Sequence, residues 1–180
     1  MRQVDAAVGR VVYTPWLSPS GGFKSDLTIM RLGDEHFRVV TGGAHGMADY
    51  KWLRDNLPAD GSAQLADLTS AWSTLGLWGP RARDILASLT SDDVSHEGFA
   101  FGTCRTIELG GIPVLASRIS YVGELGWELY VPMEQGQRLW DTLWEAGRPH
   151  GIAPFGIGVY GTTGRLEKGY RAHGAELELE

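Results

Sequence analysis

Residues 119–132 read ISYVGELGWELYVP. Ile119, Tyr121 and Val122 suit a pleated surface, and so do Trp127, Leu129, Tyr130 and Val131. Gly123, Glu124, Leu125 and Gly126 interrupt them, so the stretch predicts a strand, a glycine-framed turn and a second strand. Period-two alternation places Glu128 on the face of Tyr130, opposite Trp127 and Leu129. On a solvated face this glutamate is ordinary. Lining a pocket, it is a buried carboxylate in need of donors, which a ligand can supply.

Working outward, strands alternate with single helices. RVVYTPWL, FKSDLTIMRL and HFRVVT read as three strands joined by short turns, and short turns imply antiparallel neighbours. Met47, Tyr50, Leu53 and Leu57 recur at helical spacing, with Pro58 closing that helix. SAWSTLGLWG is a further strand, after which Pro80 opens a helix carrying Ala82, Ile85, Leu86 and Leu89 on one face. FAFGTCRTIEL and IPVLASRIS form a hairpin about Gly110-Gly111. Leu139, Trp140, Leu143 and Trp144 predict a last amphipathic helix whose tryptophans pack into a core. Hairpin-joined strands interrupted by helices predict an α+β fold: a predominantly antiparallel sheet with flanking helices, mainly on one side.

Composition narrows the function. The 180 residues carry a net charge of −6 with no Lys/Arg run, which disfavours a nucleic-acid partner. Cys104 is the single cysteine, so there is no intramolecular disulfide and no thiolate metal cage. That fits a reducing compartment, and a cytoplasmic location is expected. No apolar run is long enough for a membrane span. The five histidines show no ligand spacing, so no metal site is expected. GIGVYG (156–161) matches a dinucleotide-binding pattern, yet no apolar strand precedes it and the chain has no room for the second strand the site requires. Cys104 lies within a strand and reads as a buried, inert thiol. Asp26, beside a glycine turn at a strand start, reads either as a turn residue or as a functional carboxylate.

ISYVGELGWELYVP, together with GRLEKGYRAHGAEL and VGRVVYTPWLSPSGGFKSDLTIMRLGDEHFRVVTGG, resembles the folate-binding aminomethyltransferase family. That family includes the glycine-cleavage T-protein. The likeness is strongest to the tetrahydrofolate-binding portion of dimethylglycine and sarcosine dehydrogenases and oxidases. The resemblance implies that Glu128 receives the pterin N–H groups of tetrahydrofolate, that Tyr121 borders the pterin and that Tyr13 lies near the other end of the folate. It implies that Asp26 is the catalytic carboxylate by the nitrogens that accept the one-carbon unit. Thr41 matches a position where T-proteins carry asparagine and is expected to make a polar contact. Tyr160 aligns with a T-protein arginine, so a folate contact from that arginine has no counterpart here.

The implied activity is one-carbon (aminomethyl or methylene) transfer, giving 5,10-methylene-tetrahydrofolate from a methylamine-derived iminium, with a flavin-containing dehydrogenase subunit as a partner. A folate-binding module or fragment without independent turnover is the alternative, as is a tetrahydrofolate-dependent demethylase of the same fold. Iron–sulfur-assembly relatives carry a cysteine shortly after a Lys-Gly pair, whereas here Lys168-Gly169 leads to Tyr170. Residues 1–180 are expected to be a partial domain, lacking the family's N-terminal segment and C-terminal barrel. Self-association through an uncovered apolar patch or strand edge is expected in consequence. Gly161 and Gly164 each cost a helix roughly 1 kcal/mol relative to alanine, which predicts a frayed last helix.

Overall fold

The computed structural model describes residues 3–177. Its strands are β1 (Val11–Leu17), β2 (Phe23–Arg31), β3 (Phe37–Thr41), β4 (Trp72–Trp78), β5 (Cys104–Leu109), β6 (Ile112–Ser117) and β7 (Gly126–Pro132). The α-helices are α1 (Gly46–Asp55), α2 (Ala82–Ala87), α3 (Gly136–Gly147) and α4 (Arg165–Lys168). The architecture is α+β with antiparallel pairing throughout the named strands. In place of the single expected sheet there are two, ordered β1-β2-β3 and β4-β7-β6-β5. A bridge between Arg10 and Thr103 joins them, flanked by bonds from Val11 N to Gly102 O and from Cys104 N to Gly9 O.

The alternation of β7 decides which layer each residue enters. Trp127, Leu129 and Val131 are fully buried against α2 and α3, with Ile85, Leu86, Leu139 and Leu143. Tyr130 points the other way, into a second core with Val11, Met30 and Cys104 between the two sheets. Cross-strand register extends this inner face: Thr74 and Leu115 stand opposite Tyr130, and Gly76 and Ser117 opposite Glu128. On the smaller sheet the same reasoning groups Tyr13, Asp26, Thr28, Arg38 and Val40 on the inner face.

Three expectations change at this level. Only the second arm of residues 119–132 is a strand; residues 119–125 form a loop. Gly123 there takes a left-handed φ of 78°, the Trp78 indole N–H donates to Ile119 O at 3.1 Å, and Gly79 N donates to Leu125 O at 2.8 Å. These bonds tie the loop to the end of β4 instead of letting it pair. Tyr50 and Leu53 of α1, and Leu57 just beyond it, are half-buried, in line with the apolar periodicity, but Met47 is 91% exposed and the fully buried residue is Asp49. In α3, Leu139 and Leu143 are buried as expected, but Trp140 is 44% exposed and stacks on Trp144 with centroids 6.2 Å apart.

Candidate functional site

A cavity of about 770 Å³ runs along β4, lined by Val40, Trp78, Glu128, Tyr130, Trp144 and Tyr160 among others. This volume suits a small organic ligand. Glu128 lines it because β7 alternates, and it is shielded because the second sheet covers that face. The Tyr130 hydroxyl donates to Glu128 Oε2. Burial pushes the Glu128 carboxyl above its ordinary pKa, with the Tyr130 bond acting in the opposite direction. The Tyr130 phenol is raised by burial and by the charge of Glu128. Beyond it, the Arg38 guanidinium lies 3.9 Å from the centroid of Trp72 and 6.0 Å from that of Tyr130.

A second carboxylate stands on the opposite sheet. Tyr13, on β1, donates its hydroxyl to Asp26 Oδ2 on β2 at 2.7 Å. Partial burial, then this bond, lift the Tyr13 phenol above its usual range. The charge of Asp26 also reaches Tyr121, whose phenol is raised first by burial. Between the two carboxylates runs a chain of rings. Tyr121 lies 5.0 Å from Tyr160, and Tyr160 stacks on Trp78 at 5.2 Å and 27°. Tyr160 in turn feels the charge of Glu128. Ring and charge contacts thus link Tyr13, Asp26 and Tyr121 through Tyr160 to Glu128, and of these residues Glu128 and Tyr160 line the cavity.

Thr41 stands apart. Its register partner is Leu27, on the outer face of the smaller sheet, and its hydroxyl donates to Asp49 of α1. Ser25 donates to the same Asp49 oxygen at 2.9 Å. A polar contact from Thr41 to a ligand in the cavity would need the opposite strand phase. Asp49 was not visible in the helical periodicity, because one buried aspartate breaks the apolar pattern it helps to dock.

The segment after α3 completes the wall. Val159–Gly164 is a π-helical turn that runs on into α4, so the glycines widen the helix instead of fraying it. The last turn is clamped by Arg165, which donates to both oxygens of Glu176 at 2.9 and 3.0 Å. Tyr160 therefore reaches the cavity from a fixed support. Tyr130, Trp78 and Ser117 were given no role from the sequence; their signal was the period-two phase they share with Glu128 across neighbouring strands. Cys104 is buried and its thiol is pushed up by burial, in keeping with an inert role. No group of three or more candidate metal ligands exists among the described residues, and no helix there is long and apolar enough to cross a membrane.

The chain matches the GCVT N-terminal domain family over residues 1–180. It is 35% identical to human mitochondrial dimethylglycine dehydrogenase over 174 residues, covering 96% of this chain and 20% of that protein. It is 38% identical to an aminomethyltransferase of Chlorobium luteolum over 173 residues, covering 96% of this chain and 47% of that protein. The chain thus spans less than half the length of either relative. Among solved structures, the aminomethyltransferase T of the glycine cleavage system from Bartonella henselae superposes with a TM-score of 0.79 at 24% identity, over 95% of this chain and 44% of that one. A heterotetrameric sarcosine oxidase from Corynebacterium sp. U-96 superposes with a TM-score of 0.63 at 24% identity, over 84% of this chain and 70% of that one. These two likenesses bear on fold, and they agree with the α+β architecture. The sequence match over the whole chain settles the kinship: the protein belongs to the GCVT N-terminal domain family.

Proposed function

We propose that this chain binds tetrahydrofolate in the cavity along β4 and serves one-carbon transfer to it, giving 5,10-methylene-tetrahydrofolate from a methylamine-derived iminium. The observation that carries this reading is the placement of Glu128 in the cavity wall with Oε1 accepting no hydrogen bond among the described residues. A carboxylate so placed fits two adjacent N–H donors of a pterin, which meet it as a guanidinium would. Tyr121 and Tyr160 supply flat apolar walls for a bicyclic ring. Bound tetrahydrofolate would contribute the nucleophilic nitrogens. Asp26 would then orient those nitrogens, stabilise adjacent positive charge and take up a proton, while Tyr13 holds its Oδ2 in place.

The one-carbon donor is proposed to be a small methylated amine derivative. A flavin-containing dehydrogenase subunit is the partner that would supply it, a reading supported by the similarity to dimethylglycine dehydrogenase. The alternative is a folate-binding module without turnover of its own, which transfer assays in the presence of the partner distinguish.

Calorimetry with tetrahydrofolate tests the reading. Charge-assisted hydrogen bonds are worth about 1.5–3 kcal/mol, so Glu128→Ala is expected to weaken binding by about one to two orders of magnitude. Asp26→Asn keeps an acceptor for Tyr13 and is expected to leave affinity within about threefold while abolishing methylene-tetrahydrofolate formation. Unchanged affinity in Glu128→Ala would place the pterin elsewhere. Parent binding without any transfer in the presence of the partner would leave the binding-module reading standing.

A further inference from the structure

Ser117 closes β6 with a side chain wholly shielded from solvent, and its hydroxyl has no hydrogen-bond partner among the described residues. Buried polar groups are nearly always paired, and an exception in a folded chain calls for a use. In register, Ser117 stands directly opposite Glu128 on the inner face. Same-face partners on adjacent antiparallel strands hold their Cβ atoms about 4.5–5.5 Å apart, a gap that one side-chain rotation closes. On its other flank Glu128 faces Gly76, which has no side chain to offer. Glu128 Oε2 accepts from Tyr130, and Oε1 accepts from no described residue. Two residues that stand opposite one another on neighbouring strands thus each hold a polar atom with no hydrogen-bond partner among the described residues, and no bond joins them in this arrangement.

We propose that Ser117 is a positioning residue for Glu128: its hydroxyl donates to the ionised carboxylate and fixes the plane in which that carboxylate meets a ligand's N–H groups. The inference rests on the ligand-binding reading of Glu128 given above. A carboxylate offers about four lone-pair sites. Tyr130 along the strand and Ser117 across it would occupy one on each oxygen, leaving the remaining pair turned to the cavity. Tyr130, on the same strand, acts on Glu128 through its hydrogen bond, Tyr160 from the π-helical turn feels the Glu128 charge, and Arg38 of β3 stands over the Tyr130 ring. Burial raises the Glu128 pKa and the Tyr130 bond opposes it, so a second donor would add to the side of Tyr130. Phase along β6 brings this about: Leu115, two residues earlier on the same face, packs into the inter-sheet core, and Ser117 is the first position beyond it.

The test uses Ser117→Ala and the size-matched, poorly donating Ser117→Cys. The first measurement follows the Glu128 carboxyl carbon by NMR in the free chain. Loss of a donor to the ionised form is expected to raise the titration midpoint by about half a unit or more in both variants. The second measurement is tetrahydrofolate affinity against pH. Binding requires ionised Glu128, so it should weaken by about fivefold at neutral pH and be lost at a higher pH than in the parent. By linkage a raised Glu128 midpoint lowers the stability of the free chain where the carboxyl is ionised, so the variants should melt somewhat earlier than the parent at pH 7 and level with it at pH 4. An unchanged midpoint, or a loss of thermal stability as large at pH 4 as at pH 7, would overturn the proposal. If the parent fails to bind tetrahydrofolate, the folate reading falls, and the carboxyl titration still decides the role of Ser117.

Discussion

Glu128 is costly to the free chain and useful to a ligand. Its carboxyl is lifted above the ordinary range by burial, so the folded state resists ionisation that the unfolded state undergoes freely. The sign follows from linkage. As pH rises past the unfolded carboxyl range, the unfolded chain loses its proton first and is stabilised relative to the fold. Glu128 therefore lowers stability at neutral pH and does so less at acid pH. Glu128→Gln keeps the shape and an acceptor for Tyr130, yet carries no charge. It is expected to raise the stability of the free chain at pH 7 by about 1 kcal/mol, with the gain vanishing toward pH 4, and to weaken tetrahydrofolate binding. Denaturant melts at the two pH values check this. A variant no more stable than the parent at pH 7 would mean that Glu128 ionises in the fold without penalty. Tyr130 cannot share the burden alone, since its own phenol is raised by the same burial and by the charge it faces.

At the scale of elements, two docking contacts separate support from ligand contact. Asp49 anchors α1 by accepting from Ser25 and Thr41 on the outer face of the smaller sheet. Asp49→Ala leaves two hydroxyls without their acceptor and is expected to cost about 2–3 kcal/mol of stability while tetrahydrofolate affinity stays within about threefold. A large affinity loss at unchanged stability would instead return Thr41 to the ligand's side. The π-helical turn gives a paired test. A Cβ on Gly161 would meet nothing within 4 Å, whereas one on Gly164 would come within 2.6 Å of the Val122 side chain. Gly161→Ala should thus add about 0.4–1 kcal/mol, and Gly164→Ala should destabilise by pushing apart the turn and the loop that carries Tyr121. Thermal melts of both variants decide it; equal shifts would show the Val122 contact to be soft. The same elements show what the sequence could tell. Strand phase in β7 was readable because Trp127, Leu129 and Val131 alternate with Glu128 and Tyr130, and the core confirms each side. The phase of Thr41 was not, because β3 is short and half-buried on both faces, so no apolar alternation marks its inner side. The division into two sheets was hidden for a related reason: the joint at Arg10 and Thr103 is made by backbone bonds, which leave no side-chain pattern.

Across the whole molecule, the cavity with Glu128 and an uncovered apolar rim lie together along one edge of the larger sheet. In the order β4-β7-β6-β5, β4 is an outer strand, bonded to β7 alone among the named strands. The cavity runs along it, with Phe155 and Ile157 in its wall. Ile157 is 80% exposed, and Phe155 and Val159 are also open to solvent. A glycine-rich run that presents such residues beside an outer strand is a surface that another chain can cover, by apolar contact and by strand addition. We propose a second copy of the chain as the occupant in isolation. With a net charge of −6, two copies repel at low ionic strength. Raising salt to about 0.5 M shortens the screening length to a few ångströms and removes that repulsion while leaving apolar attraction in place. Light scattering over a concentration series is therefore expected to show a mass that grows with concentration, and more steeply in high salt. Ile157→Lys places a charge on the rim and should return the mass toward that of one chain without changing the far-UV spectrum. Tetrahydrofolate should act in the same direction if it draws Tyr160 and its turn inward. A mass that stays at one chain across concentration and salt would sink the idea and show that the rim is covered by the chain's own fold.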